Sequence, residues 1–133
     1  MSKLALFLVM GMLALGCSKP SKSEAAPAES AAAATTAGDP AAEAKDYFKK
    51  TCVVCHGESG EGNGPGSAAL DPKPRNFTDA AWQGQVKDEE IRKAILGGGI
   101  AVGKSPVMPA NPQLKGKPEV VDELVKIVRG FKK

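Results

Sequence analysis

The residues with the most distinctive chemistry are two cysteines and a histidine within five positions, Cys52-Val53-Val54-Cys55-His56. Thiols three residues apart, followed at once by an imidazole, form the attachment signal of c-type haem. Near the end of a helix, two such thiols can reach the two vinyl groups on one porphyrin edge and form thioethers. The neighbouring imidazole is then directed at the iron as its proximal ligand. The pattern therefore predicts covalent haem on Cys52 and Cys55, with His56 bound to the iron.

Three other uses of a C-x-x-C pair each lack a required feature in this sequence. A structural zinc site needs four ligands, but the chain has one further cysteine, Cys17, and no second histidine. A thioredoxin-like pair belongs in a strand–helix–strand context, and no segment alternates apolar and polar residues convincingly. A structural disulfide would leave His56 without a role. Haem attachment accounts for all three residues together.

A haem iron bound by one imidazole keeps a sixth coordination position, and Met108 is the candidate ligand for it. His56 is the only histidine, and the other three methionines lie within the first twelve residues. Pro106 and Pro109 restrict the backbone on both sides of Met108 and favour a rigid, extended presentation of its thioether. A lone methionine is more commonly a core filler, but this one lies outside any helical face. The sequence therefore predicts Met108 as the second axial ligand.

Three segments repeat apolar residues with helical spacing and would position these donors: residues 41–51, 88–96 and 118–131. Asp39 and Pro40 form a start signal for the first helix, as N-cap and first helical residue. Gly97 is expected to end the second helix in a left-handed conformation. The lack of a two-residue period predicts an all-α domain. The two long loops between helices become reasonable if they wrap a group that is not protein.

The composition limits the chain to one small domain with appended segments. Its 133 residues are 42% hydrophobic and 25% charged, as in ordinary soluble proteins. Four Phe, one Tyr and one Trp allow only a thin core, and such small domains commonly depend on a metal, disulfides or a cofactor. The modest net charge of +3 does not suggest nucleic-acid binding, which uses clustered Lys and Arg.

The first forty residues have the composition of a targeting segment followed by a tether. Residues 1–16 contain one cation and an apolar run too short to cross a bilayer, which predicts a signal peptide. Leu13-Ala14-Leu15-Gly16-Cys17 resembles a bacterial lipobox and predicts lipidation of Cys17. A plain signal peptide with an incidental cysteine is the alternative. Residues 17–40, rich in Ala, Ser and Pro, are expected to form a disordered linker, either a swinging tether or a simple spacer.

Residues 41–133 resemble a monohaem class I cytochrome c domain, with Cys-x-x-Cys-His early and Met-Pro late in the segment. The resemblance implies a small all-α cytochrome c fold, with about three main helices and long loops around one covalently attached haem c. It also implies that the first and last helices cross at near right angles, with Phe48 packed against Leu124 and Ile127. The sequence departs from the family pattern at Ala44, where glycine is usual, and at Ile127, where an aromatic residue is usual.

The resemblance further implies roles for four residues around the haem. The Pro65 carbonyl would accept the ring N–H of His56 and so fix the orientation of the imidazole. Leu70 would cover the haem plane. Arg75 would lie near a haem propionate, to which Trp82 would donate its indole N–H. A solvated cation at position 75 and a core anchor at position 82 are the alternatives.

An iron with imidazole and thioether ligands has no free position for substrate, so this ligand set implies an electron carrier and not an enzyme. Electrons would pass at the exposed haem edge near Cys52 and Cys55, to and from other redox proteins, with the chain as a monomer. Six lysines could ring that edge and attract acidic partners: Lys49, Lys50, Lys73, Lys104, Lys115 and Lys117. An ordinary solvated surface is the alternative to such a ring.

The predicted leader and lipid anchor place the domain outside the cytoplasm, facing the periplasm and held on a membrane by lipid alone. Two other functions stay open. A five-coordinate haem domain could act as a small-ligand sensor or a peroxidase, which requires that Met108 does not bind the iron. The domain could also be a fixed electron-transfer subunit of a larger oxidoreductase, a function that the long linker disfavours.

Overall fold

The computed structural model describes residues 38–133. The predicted signal peptide at residues 1–16, the predicted lipidation of Cys17 and nearly all of the predicted linker at residues 17–40 lie outside the described residues. The described part is helical and contains no strand. The expected all-α class is therefore confirmed for this part of the chain.

The first helical region runs without interruption from Pro40 to His56 and delivers the C-x-x-C-H residues at its end. Asp39 caps it as predicted, because its carboxylate accepts a hydrogen bond from the Ala41 backbone N–H at 3.0 Å. Helix α1 spans Pro40–Tyr47, a π-helical turn spans Phe48–Cys52, and helix α2 spans Val53–His56. The first helix was predicted to span residues 41–51, so its predicted end is more than one turn short of the observed end at His56.

A short helix that the sequence did not predict lies inside the first long loop. Helix α3 spans Ala80–Gln85 and is capped by Asp79, whose carboxylate accepts from the backbone N–H groups of Ala81 and Trp82. The loops also contain three 3₁₀ turns: Pro65–Ser67, Gly99–Val102 and Pro112–Leu114.

Helix α4 spans Asp88–Gly97, close to the predicted residues 88–96. The expectation that Gly97 ends this helix is wrong by one position. Gly97 is still helical, and Gly98 follows it with φ of 72°, a value that favours glycine because it has no Cβ. The sequence could not decide between the two positions, because Gly97 and Gly98 are adjacent and either can adopt the conformation that ends a helix.

Helix α5 spans Pro118–Gly130, as predicted within one residue, and packs against α1. The buried apolar side chains form one core around it: Ala44, Phe48, Phe77, Ile91, Leu114, Val120, Val121, Leu124, Val125 and Val128. Phe48 and Leu124 share this core, and Ile127 packs against it, in agreement with the expected helix contact. The Phe48 ring also lies 5.6 Å from the Phe131 ring, centroid to centroid.

None of the helices within residues 38–133 combines the length and the apolar character needed to cross a membrane.

Candidate haem site

The two cysteines and the histidine lie on consecutive turns of one helical region. Cys52 closes the π-helical turn, and Cys55 and His56 belong to α2. Both cysteines are half-buried free thiols, so the disulfide alternative does not apply to this structure. Burial, with a smaller effect of the neighbouring Cys55, raises the pKa of the Cys52 thiol to about 11. Before haem attachment, Cys52 is therefore a neutral thiol at neutral pH.

His56 is buried, and its ring is fixed by a hydrogen bond to a backbone carbonyl. Its Nδ1 atom lies 3.0 Å from the carbonyl oxygen of Arg75. Burial lowers the pKa of His56, while the hydrogen bond to Arg75 raises it by less, so the imidazole is neutral at pH 7. A carbonyl oxygen can only accept, which places the single ring proton on Nδ1. The lone pair is then on Nε2, where it is available to a metal ion.

The hydrogen-bond partner of His56 differs from the predicted one. Pro65 is exposed and starts a 3₁₀ turn, and the carbonyl that accepts from Nδ1 belongs to Arg75. The expectation for Pro65 is therefore wrong in this structure. The physical reason lies at Gly62, which has φ of 76° and approaches the Pro74 carbonyl so closely that a Cβ would collide with it. This close approach brings the backbone of residues 74–75 against the helix end that carries His56.

An aromatic side chain that the sequence analysis did not single out stacks on His56. The rings of Phe77 and His56 lie 4.3 Å apart, centroid to centroid, with an angle of 14° between their planes. Phe77 is itself buried, and its ring centroid lies 5.8 Å from that of Trp82. No period or motif marks Phe77 in the sequence, because its role depends on how the first long loop folds.

Arg75 and Trp82, predicted to serve the same haem propionate, do lie together. The Arg75 guanidinium is 5.7 Å from the centroid of the Trp82 ring, and it forms a 3.3 Å ion pair with Asp79. Leu70, predicted to cover the haem plane, is half-buried after the 3₁₀ turn, with its N–H bonded to the Ser67 carbonyl at 3.1 Å. The haem contacts of these residues stay predictions.

Met108 is half-buried and its backbone is held against the end of α4. The Met108 carbonyl accepts a hydrogen bond from the Gly99 N–H at 3.0 Å. A Cβ added at Gly98 would lie 2.6 Å from the same carbonyl oxygen, so only glycine permits this approach. The loop is thus positioned through the Met108 backbone.

Asn111, which the sequence analysis did not select, fixes the chain three residues after Met108. It is buried, and its side-chain N–H₂ donates to the Ile95 carbonyl at 2.6 Å while its backbone N–H donates to the Leu96 carbonyl at 3.1 Å. Its side-chain oxygen accepts from the Tyr47 hydroxyl at 2.5 Å. Burial raises the pKa of Tyr47, which keeps the hydroxyl protonated as this bond requires. In the sequence, only its place as a polar residue soon after Met108-Pro109 could have pointed to Asn111.

The residues of this region fit a haem group in their chemistry and in their exposure. The donor set comprises a neutral imidazole with a free Nε2, two thiols on the same helical region, and one thioether. Within residues 38–133, the large apolar side chains that stay exposed are Val54 (47%), Ile100 (71%) and Val107 (53%). Val54 lies between the two thiols, and Ile100 and Val107 lie on the loop that carries Met108, so apolar surface stays exposed on the segments that hold the donors.

Comparisons with known proteins agree with this assignment. The family model described as Cytochrome c matches residues 41–128. The chain is also similar to a solved structure, the "KustC0563 c-type cytochrome", with 36% sequence identity and a TM-score of 0.50. That match covers 66% of this chain and 95% of the other. No curated protein matches this sequence.

The family match spans the helical region with the C-x-x-C-H residues, the Met108 loop and most of α5, and it confirms the resemblance drawn from the sequence. The chain therefore belongs to the cytochrome c family, whose domains bind covalently attached haem c and transfer electrons.

Proposed function

We propose that this chain is a one-haem electron carrier in which Cys52 and Cys55 form the thioethers and His56 and Met108 bind the iron. The observation that carries the proposal is the state of His56. It is buried, neutral and committed through Nδ1 to the Arg75 carbonyl, so that Nε2 is the nitrogen left for iron. The two free thiols on the same helical region support covalent attachment beside it.

The residues of the chain contribute position and exclusion of water. When bound, haem supplies a one-electron ferric–ferrous couple. His56 is held in one tautomer and one orientation, and the bonds of Met108 and Asn111 hold the loop that carries the second proposed donor. With both an imidazole and a thioether bound, the iron would have no free coordination position for a substrate, which favours electron transfer without bond making. Thioether ligation and apolar surroundings both raise the reduction potential.

Ligation by Met108 is tested with the variant Met108→Leu. We expect the oxidised protein to lose the weak iron–sulfur charge-transfer band, and the reduced variant to bind carbon monoxide stoichiometrically. The reduction potential should fall, because a thioether ligand favours ferrous iron. Val107→Leu is the matched control, since it alters an exposed neighbour of similar character and should keep the wild-type spectrum.

The contrary result would be a Met108→Leu spectrum identical to that of the wild type. Rapid uptake of carbon monoxide by the reduced wild-type protein would also reject the six-coordinate carrier, and would favour the sensor or peroxidase alternative.

We further propose that the partners are redox proteins with acidic surfaces that meet the exposed haem edge, with the chain as a monomer. The six candidate lysines are not equally free to attract them. Lys50 pairs with Asp46 and Lys117 with Glu43, and Lys73 donates to two backbone carbonyls. Lys49, Lys104 and Lys115 form no ion pair with any described residue, which leaves their charges available to a partner.

We also propose that the domain works outside the cytoplasm, facing the periplasm and anchored by lipid on Cys17, on the basis of the lipobox-like sequence alone. A Cys17→Ser variant should move from the membrane fraction to the soluble fraction of broken cells, because acyl chains contribute about 0.8 kcal/mol per buried CH₂. Immunoblots of both fractions measure this, with Ser18→Ala as the control. Retention of Cys17→Ser on the membrane would refute the lipid anchor.

A further inference from the structure

We propose that Phe77 is a positioning residue for the axial imidazole: it sets the plane in which His56 presents Nε2, and Gln83 holds Phe77 in place. The proposal rests on the proposed role of His56 as an iron ligand and adds a determinant of its orientation. It comes from the near-parallel stack of the two rings, 4.3 Å apart with a 14° angle between planes.

Two contacts from one short segment constrain the imidazole in different directions. The hydrogen bond from Nδ1 to the Arg75 carbonyl restricts rotation of the ring within its own plane. The Phe77 ring covers one face of the imidazole and restricts its tilt out of that plane. Because Arg75 and Phe77 are two residues apart, any shift of this segment moves both contacts together.

The Phe77 backbone is fixed at both of its polar groups. Its N–H donates to the Gly60 carbonyl at 2.7 Å, and its carbonyl accepts from the Gln83 side-chain N–H₂ at 2.7 Å. Gly60 lies in the loop after α2 and Gln83 lies in helix α3, so these bonds hold the Phe77 segment between them. The Phe77 backbone therefore cannot shift along His56 without breaking a hydrogen bond.

Gln83 is a rigid support because every polar atom of its buried side chain is engaged. Its N–H₂ also donates to the Val128 carbonyl at 2.8 Å, and its side-chain oxygen accepts from the Arg129 guanidinium at 2.9 Å. Arg129 in turn binds Asp88 and the carbonyls of Gln83 and Val86. The orientation of His56 is thereby tied to α5, far along the chain from the C-x-x-C-H residues.

The test compares Phe77→Leu with a matched control in the same group of aromatic rings. Phe131→Leu makes the same chemical change in a ring that lies 6.2 Å from the Phe77 ring and 5.6 Å from the Phe48 ring. Among the aromatic pairs of the described residues, Phe131 forms none with His56. Phe77→Tyr retains a ring over the imidazole. The measurements on each oxidised holoprotein are the g-values in electron paramagnetic resonance and the spread of haem methyl shifts in proton NMR, since both report the direction of the axial imidazole plane.

We expect Phe77→Leu to change the g-values and the order of the methyl shifts. Phe131→Leu should keep the wild-type pattern in spite of a lower melting temperature, and Phe77→Tyr should also keep it. A wild-type pattern in Phe77→Leu, or an equal change in Phe131→Leu, would overturn the proposal. If Phe77→Leu gives no folded holoprotein, the wild type decides: the reduced protein must show nuclear Overhauser contacts between the Phe77 and His56 rings, and their absence overturns it.

These results also separate this inference from the proposed function. A wild-type protein without the low-spin signal of histidine ligation contradicts the function itself. A wild-type protein with that signal, together with an unchanged Phe77→Leu variant, contradicts only the role of Phe77.

Discussion

At the residue scale, the proton of His56 is controlled by a backbone group. An N–H donated to a carbonyl makes the opposite nitrogen more electron-rich and fixes the tautomer. The acceptor at Arg75 is a main-chain oxygen, so replacement of the Arg75 side chain leaves the bond in place unless the segment moves. Side-chain substitutions can therefore alter the direction of the imidazole more readily than its tautomer.

Loss of one thiol should reduce covalent haem attachment and lower the stability of the protein. In Cys55→Ala we expect less covalently bound haem and a lower melting temperature, because chains without haem lose a group on which so thin a core depends. Haem staining after denaturing electrophoresis and a thermal melt measure the two effects. Thr51→Ala, an exposed neighbour on the same helical region, is the control. Staining and melting equal to the wild type would count against attachment at Cys55.

The proposed donor residues could be selected from the sequence because rare side-chain types carry their chemistry. The chain holds one histidine, so His56 needed no structure to be selected, and Met108 followed by elimination. The Arg75 carbonyl could not be selected, since every residue has a carbonyl and only the loop fold brings this one to Nδ1. Phe77 and Asn111 were missed for the same reason. Their side chains are common types whose roles depend on contacts distant in sequence.

At the element scale, helix starts were predicted better than helix ends. Asp39 and Pro40 mark a start through local chemistry, a carboxylate cap and a residue without N–H, and the structure confirms it. The end of the first helical region was missed because the π-helical turn and the contacts with the core carry the helix on to His56. Helix α3 was missed because it is short and contains Gly84, which weakens any helical pattern.

The N-cap of α1 gives a stability prediction. Asp39→Ala removes the side-chain acceptor for the Ala41 N–H and should lower the free energy of unfolding by about 1 kcal/mol. Denaturant titration of the holoprotein measures the change. Asp46→Ala is the matched control, because its 3.7 Å ion pair with Lys50 is solvent-exposed and should contribute little. Equal losses in the two variants would show that the cap has no special role.

At the scale of the whole molecule, the helices form the core and the loops complete the site. Helices α1, α4 and α5 supply most of the buried apolar side chains. The loop from α2 to α3 brings the acceptor and the stacking ring to His56, and the loop after α4 carries Met108. That both loops wrap a non-protein group stays a prediction.

The uncompensated lysines predict a dependence of electron-transfer rate on salt. Oxidation of the reduced protein by the anion hexacyanoferrate(III) should slow severalfold as ionic strength rises, because salt screens the attraction. Lys49→Glu should slow the reaction at low salt. Lys126→Glu is the control, since Lys126 lies on α5 and already pairs with Glu123. Stopped-flow measurements give the oxidation rate across a series of salt concentrations. A rate that does not change with ionic strength would reject attraction by the lysines.

The π-helical turn at Phe48–Cys52 has a consequence for how such chains diverge. A wide turn accommodates one surplus residue within a continuous helix. Gain or loss of a single residue there can be absorbed while the buried side of α1 and the haem-attaching side of α2 keep their separate alignments. The number of residues between Phe48 and Cys52 can thus vary by one. A homologous chain with one residue fewer there is expected to keep both the core contacts of α1 and the orientation of the two cysteines on the helical region.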